Sequence, residues 1–196
     1  MKLGGGKQKG NRFEREIASR LSAWWEESTG IKKGFARTPG SGGWAKTSGT
    51  AETGSYVAGD IVCPKSFPFV VECKDDESFQ FHLLISSYEK SSFKQWWEKL
   101  CGEAEAVGKY PLLVFTRNRW PRFCCMREKD FRSAATLAPS GPVIKLDVPR
   151  EQKGGGGGTV VIFQFDDFLA SVYLSIVPLI VRRPAPKVET QKNPNA

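Results

Sequence analysis

Gly59-Asp60-Ile61-Val62 and, a little further on, Val70-Val71-Glu72-Cys73-Lys74 are the stretches on which the reading of this chain turns. Both lie in short apolar runs, and the composition predicts strands over Tyr56 to Cys63 and Phe69 to Lys74, with Pro64, Ser66 and Pro68 marking a turn between them. Side chains alternate along a strand, so Glu72 and Lys74 share one face while Cys73 points the other way, toward a core. A hairpin between the two strands brings Asp60 beside them. Charge at the ends of apolar strands is costly unless it is paired or bound to metal. Two carboxylates and one amine in a small volume suit a divalent cation held by oxygen ligands, with the lysine orienting water or offsetting negative charge.

Upstream, Asn11 to Ser28 reads as an amphipathic helix, because Phe13, Ile17, Leu21 and Trp24 recur at helical spacing and Gly30 follows its end. Glu14 falls roughly 65° from the centre of that stripe, at the edge of the buried face. It is the acid of this helix best placed to lean over a sheet, since Glu16 lies on the opposite flank and Arg15 faces water. Residues 1–10 read as a flexible basic arm. Gly34 to Thr38 is a predicted short strand, and Pro39 to Tyr56 is a Gly/Ser/Thr-rich loop carrying Trp44 and Lys46. A loop of that length inside a domain is usually functional or mobile, and this one runs straight into Asp60.

Downstream, Phe81 to Ser87 fits neither period. Ser91 to Val107 is a predicted helix with Phe93, Trp97, Leu100, Ala104 and Val107 on one face, aromatics that read as core rather than as a base-stacking platform. Pro111 to Thr116 is a strongly apolar strand, with Phe123 to Met126 as its hairpin partner. A short helix is expected over Glu128 to Ala135, strands over Val143 to Leu146 and Thr159 to Phe165 around the connector Gly154 to Gly158, and a last helix from Asp166, its N-cap, to Tyr173. Residues 184–196 read as a disordered tail. The charged motifs lie in a core of residues 11–117, with an extension over 118–183.

The 196 residues allow one domain with a substantial core. Net charge is +8, and it is unevenly spread. Residues 1–50 hold ten Lys or Arg against four acids, and Arg117, Arg119, Arg122 and Arg127 surround Trp120. Such an excess suits a polyanion, nucleic acid most simply. The five cysteines have no C-x-x-C spacing, which argues against a disulfide framework or a zinc site. His82 is the single histidine, which argues against a Ser-His-Asp hydrolase and reads as a surface or capping residue. The absence of long apolar runs argues against a membrane span or signal peptide and leads to a cytoplasmic expectation, the host cytoplasm for a phage-encoded protein.

The order helix with Glu14, strand, loop, Gly-Asp strand, Glu-x-Lys strand, helix, strand resembles the PD-(D/E)xK nuclease superfamily. Lys9-Gly10-Asn11-Arg12-Phe13-Glu14-Arg15-Glu16, Arg37-Thr38-Pro39-Gly40-Ser41, Gly59-Asp60-Ile61 and Glu72-Cys73-Lys74 are together similar to archaeal-type and phage Holliday junction resolvases. Glycine stands before Asp60 where the superfamily nominally has proline. The resemblance implies an α/β fold with a mixed central sheet flanked by helices, a restriction-endonuclease-like core. It assigns catalysis to Glu14, Asp60, Glu72 and Lys74, with Asp60, Glu72 and Glu14 as metal ligands. DNA contact falls to Arg37 and Ser41, with Lys46, Lys9 and Arg12 as further basic candidates. It further implies Mg²⁺, with Mn²⁺ substituting, and a homodimer cutting branched or four-way DNA. A restriction- or repair-type nuclease acting on duplex DNA would use the same residues, and a non-catalytic DNA-binding module or an RNA-binding protein would share the charge.

Overall fold

The computed structural model describes residues 5–30, 32, 34–38, 55–134, 139–149 and 157–171. The chain opens with helix α1 (Gly5–Thr29), followed by three short strands, β1 (Ala36–Arg37), β2 (Ser55–Val57) and β3 (Ile61–Pro64), and then the longer β4 (Phe69–Asp75). A single helical turn α2 (Leu83–Ser86) and a 3₁₀ turn (Tyr88–Lys90) lead to α3 (Ser92–Ala106) and β5 (Tyr110–Thr116). After β6 (Phe123–Arg127) and α4 (Glu128–Ala134) come β7 (Ile144–Val148), β8 (Gly158–Gln164) and α5 (Phe165–Ser171).

Five strands form a mixed sheet in the order β4-β5-β6-β8-β7. The β4–β5 pair is parallel, with Glu72 opposite Leu113 and Asp75 opposite Thr116, and every other pair in the sheet is antiparallel. Parallel neighbours need a crossover, which α3 supplies. Both faces of β4 are therefore covered, and its first five residues are all buried. Phe69, Val71 and Cys73 point to one side, into a core built with Phe13, Ile17, Leu21, Trp24 and Trp25 of α1 and Phe168 of α5. Val70 points to the other side, against Phe93, Trp97, Leu100 and Ala104 of α3. Those α3 aromatics are core, as their spacing predicts. Ser91 caps the helix by accepting a hydrogen bond from the Phe93 N–H at 3.2 Å.

Three expectations change. Strands β3 and β4 are not a hairpin: β3 lies between β1 and β2 in a separate three-stranded antiparallel sheet and meets β4 through one bridge, Gly59 to Val71. The turn after Pro64 buries Phe67 completely among Trp24, Trp25, Phe35 and Phe69, which draws the chain away from a two-strand ladder. Second, α1 begins at Gly5, so Gly5–Gly10 is helix rather than part of a flexible arm. The Lys9 ammonium anchors that turn on Asp75 and Glu77, at 3.2 and 2.8 Å. Third, Asp166 is inside the first turn of α5 and not its N-cap, because the helix already starts at Phe165, whose N–H donates to the Arg122 carbonyl at 2.8 Å. Asp166 pairs with Arg20 instead. The loop of residues 39–54, with Ser41, Trp44 and Lys46, and the tail of residues 184–196 lie outside the described residues.

All five cysteines are buried free thiols, and burial pushes the Cys63 thiol up to about 12. They pack as small hydrophobes. No described helix is long and apolar enough to cross a membrane.

Candidate active site

Gly59 is where the small sheet touches the large one, and only glycine fits there. Its φ is +71°, and a Cβ would sit 2.4 Å from the Val71 carbonyl oxygen. Proline, held near −65°, cannot adopt that conformation, which accounts for glycine at the position the superfamily nominally gives to proline. The next residue is pinned on both sides. The Asp60 N–H donates to Val71 O at 2.9 Å, and Asp60 O accepts from the Thr38 N–H at 2.9 Å. Thr38 is buried, and its hydroxyl donates to Gly59 O at 3.2 Å. Gly59→Ala is expected to cost on the order of 2–4 kcal/mol of unfolding free energy, from a forced positive φ plus the backbone clash. Urea unfolding checks it. A variant as stable as the wild type would show that this peptide is not held against β4.

With its backbone fixed, Asp60 turns its carboxylate along β4. Asp60 Oδ2 accepts the Cys73 N–H at 2.9 Å and lies 3.8 Å from Lys74 Nζ. On the same face of β4, Glu72 is 1% exposed. Its Oε1 accepts from Lys74 Nζ at 2.7 Å and from Lys99 Nζ of α3 at 2.9 Å. Its Oε2 is buried and has no hydrogen-bond partner. Burial raises the Asp60 pKa to about 6, reinforced by the nearby Glu72 and Glu14 charges and opposed by Lys74 and the Cys73 N–H. The structure thus brings Asp60, Glu72 and Lys74 together as the strand alternation predicts, although by a different sheet pairing.

Glu14 sits beside this group rather than in it. Its carboxylate is paired with Arg37, whose Nη2 also donates to Asn11 Oδ1 at 2.7 Å. Arg37, expected on a phosphate, is held here by α1. Arg12 is exposed. Ser41 and Lys46 fall outside the described residues. Lys99 was not foreseen: it lies off the apolar stripe of its helix, and only the packing of the crossover helix α3 against β4 shows that it reaches Glu72.

The donor set tests the expected cation. Glu72 Oε2 is a carboxylate oxygen removed from water and left without a partner, a costly state that a cation would relieve. Among the described residues no group of three or more His, Cys, Asp or Glu side chains is placed to hold a metal ion. Two hard carboxylates with the remaining positions left to water and phosphate oxygens is the kind of set Mg²⁺ accepts. The residues fit such an ion.

A mixed sheet with an acid-x-lysine on a buried parallel strand, and an aspartate presented beside it from the bend that leads into β3, is the arrangement of a PD-(D/E)xK nuclease core. A family model described as "Phage putative PDDEXK endonuclease" matches residues 5–175, and the chain belongs to that family. The match takes in the strands and helices of the extension as well as the motif-bearing core. No curated protein and no solved structure matches the chain.

Proposed function

We propose that this nuclease is a Mg²⁺-dependent, structure-specific DNA endonuclease that cuts four-way or branched DNA as a homodimer in the cytoplasm of its host. The observation that carries the metal-dependent reading is the buried Glu72 carboxylate, half of it unpartnered, beside an Asp60 that resists ionisation. Lys74 and Lys99 both meet Glu72 on Oε1, which leaves Oε2 for a further positive charge. Asp60 and Glu72 would hold the cation, and Glu14 would reach it after exchanging Arg37 for solvent. When bound, Mg²⁺ supplies positive charge to the phosphate group as negative charge builds on its oxygens.

The chain's own groups do the rest. In hydrolysis a water oxygen bonds to phosphorus, one bridging oxygen leaves, and that oxygen takes up a proton. Lys74 Nζ, set between the two carboxylates, donates a hydrogen bond that orients the attacking water or a non-bridging phosphate oxygen. Lys99 keeps the Glu72 side chain in place through the same oxygen. Arg37, once released by Glu14, becomes a bidentate phosphate contact.

Branched DNA is favoured by the resemblance to junction resolvases over the Lys9–Ser41 and Gly59–Lys74 motifs. One Asp60-Glu72-Lys74 group per chain means that paired incisions need two chains, and a C2 dimer matches the approximate two-fold symmetry of a four-way junction. The test uses four-way, forked, linear duplex and single-stranded DNA, each with Mg²⁺ and with EDTA, and a plasmid-borne cruciform. Cutting of the four-way and forked DNA only with Mg²⁺, and linearisation of the cruciform, is expected. Equal cutting of linear duplex would remove the branch preference. No cutting of any DNA with Mg²⁺ or Mn²⁺ would remove the function.

A further inference from the structure

A second basic feature lies next to the site, in a groove between the start of α1 and the turn joining β5 to β6. Its space is about 230 Å³, and five cations line it (Lys9, Arg12, Arg117, Arg119 and Arg122) against two carboxylates, Glu16 and Asp75. Lys9 and Arg122 are engaged by acids, Lys9 with Asp75 and Glu77, Arg122 with Glu16. Arg12 and Arg119 are exposed. The groove opens at the carboxyl ends of the parallel β4–β5 pair, where Asp75 faces Thr116 and follows Lys74 directly. Crevices at the carboxyl ends of parallel strands are where ligands of open α/β sheets bind.

The lip of the groove is aromatic. Trp120 is 39% exposed, one of three large hydrophobic side chains so exposed among the described residues. Its ring is held in place: the Arg117 guanidinium lies 5.0 Å from the centroid, and Phe81 and Phe123 pack at 5.9 and 6.4 Å. Arg117 is itself tied to Phe79 O at 3.1 Å. The turn that carries the ring is closed by the Trp120 N–H on Arg117 O at 3.0 Å, and its third residue, Arg119, has φ +63°. That position normally belongs to glycine or asparagine. Arg119 is the one non-glycine residue at positive φ among those described. An arginine kept where glycine would be more stable points to a use for its charge.

We infer that this groove binds the unpaired strand of a branched DNA, with Arg12 and Arg119 on its phosphates and Trp120 as the platform on which one unstacked base sits. Basic grooves with a fixed aromatic ring are the general solution to single-stranded nucleic acid, because every base has a π-face and every nucleotide a phosphate. A blunt duplex offers the cations phosphates but offers the ring no free base. The cations therefore add affinity for any DNA, the ring only where a strand is unpaired, and the groove lies beside Lys74. This rests on the nuclease reading above, but it is measured by binding and not by cutting.

The test is fluorescence anisotropy of the full chain in EDTA with a labelled fork, the same fork with abasic sites throughout its unpaired arms, a blunt duplex and a single-stranded RNA. Wild type should prefer the fork. Trp120→Ala should lose about five- to hundredfold on the fork, as for one stacked base, with the blunt duplex unchanged. Trp120→Phe should retain most of the affinity, and the abasic fork should bind wild type as weakly as the intact fork binds Trp120→Ala. Arg119→Gly should melt a few degrees higher than wild type while binding both DNAs less tightly, with a shallower salt dependence. Equal binding of the fork and its abasic form by wild type would overturn the proposal even if Trp120→Ala failed to fold. Equal losses on fork and blunt duplex, or tighter binding of the RNA than of the fork, would overturn it too. Cleavage is scored separately: a fork preference that depends on Trp120 in a chain that cuts nothing sinks the nuclease reading alone, and cutting without that preference sinks the groove alone.

Discussion

Asp60→Asn is expected to abolish cleavage and, in the absence of divalent cations, to make the folded chain more stable. The two effects have one cause. Asparagine keeps an oxygen for the Cys73 N–H but removes a charge that burial and Glu72 oppose. In the folded chain Asp60 titrates at about 6 against an ordinary value of 3.8, so the folded state holds its proton more tightly than the unfolded state does. Between those pH values the unfolded chain releases a proton that the folded chain retains. Stability therefore falls as pH rises from about 4 to about 6, and the full penalty persists above that, on the order of 1–3 kcal/mol. Asp60→Asn should lack that component of the pH dependence. Melting in EDTA from pH 4 to pH 7 should show the variant gaining on wild type through that window. Saturating Mn²⁺ should reverse the order, because a ligand that binds only the folded wild type at a hundred times its Kd adds about 2.7 kcal/mol. Calorimetric Mn²⁺ binding should vanish in the variant. A variant that still binds Mn²⁺ as wild type does, or that melts lower than wild type in EDTA at pH 7, would show that Asp60 is not a strained ligand held ready for a cation.

Much of this site is legible in the linear chain because its logic is local. Glu72 and Lys74 share a face through strand alternation, and the stripe Phe13, Ile17, Leu21 and Trp24 is buried where helical spacing puts it. That spacing also places Glu14 at the edge of the buried face, where it meets Arg37. What escapes a linear reading is pairing across distance. Asp60 reaches Cys73 through a single bridge at Gly59, not through a hairpin ladder, and nothing in the intervening residues distinguishes the two. β5 takes one edge of β4 after a helical crossover, and on the other edge Phe67, which fills an aromatic cluster, leaves the chain only the bridge at Gly59. Lys99 follows from the same crossover. The start of α1 is equally non-local, since Gly5–Gly10 contains three glycines and is anchored by Lys9 on Asp75 at the end of β4 and Glu77 just after it.

Lys74→Ala is expected to slow cleavage by about 10²- to 10⁴-fold, the range for a positioned group acting in the transition state. Affinity for Mn²⁺ should hold or tighten. Lys74 Nζ occupies Glu72 Oε1 and stands 3.8 Å from Asp60 Oδ2, so it competes with a cation for the same carboxylates. Removing it leaves Glu72 with Lys99, and both acids freer to turn toward metal. DNA affinity should change little, because one lysine is a small part of a broadly basic surface. Lys99→Ala provides the control: it removes the other amine on the same oxygen but lies on α3, and its effect on rate should stay within about 10- to 100-fold, as for a group that only positions a ligand. Single-turnover cutting of a forked DNA, with Mn²⁺ binding measured alongside, separates the cases. A Lys74→Ala rate within about threefold of wild type would remove Lys74 from the chemistry. A slow rate accompanied by lost Mn²⁺ binding would mean that Lys74 builds the metal site, and that some other donor orients the water.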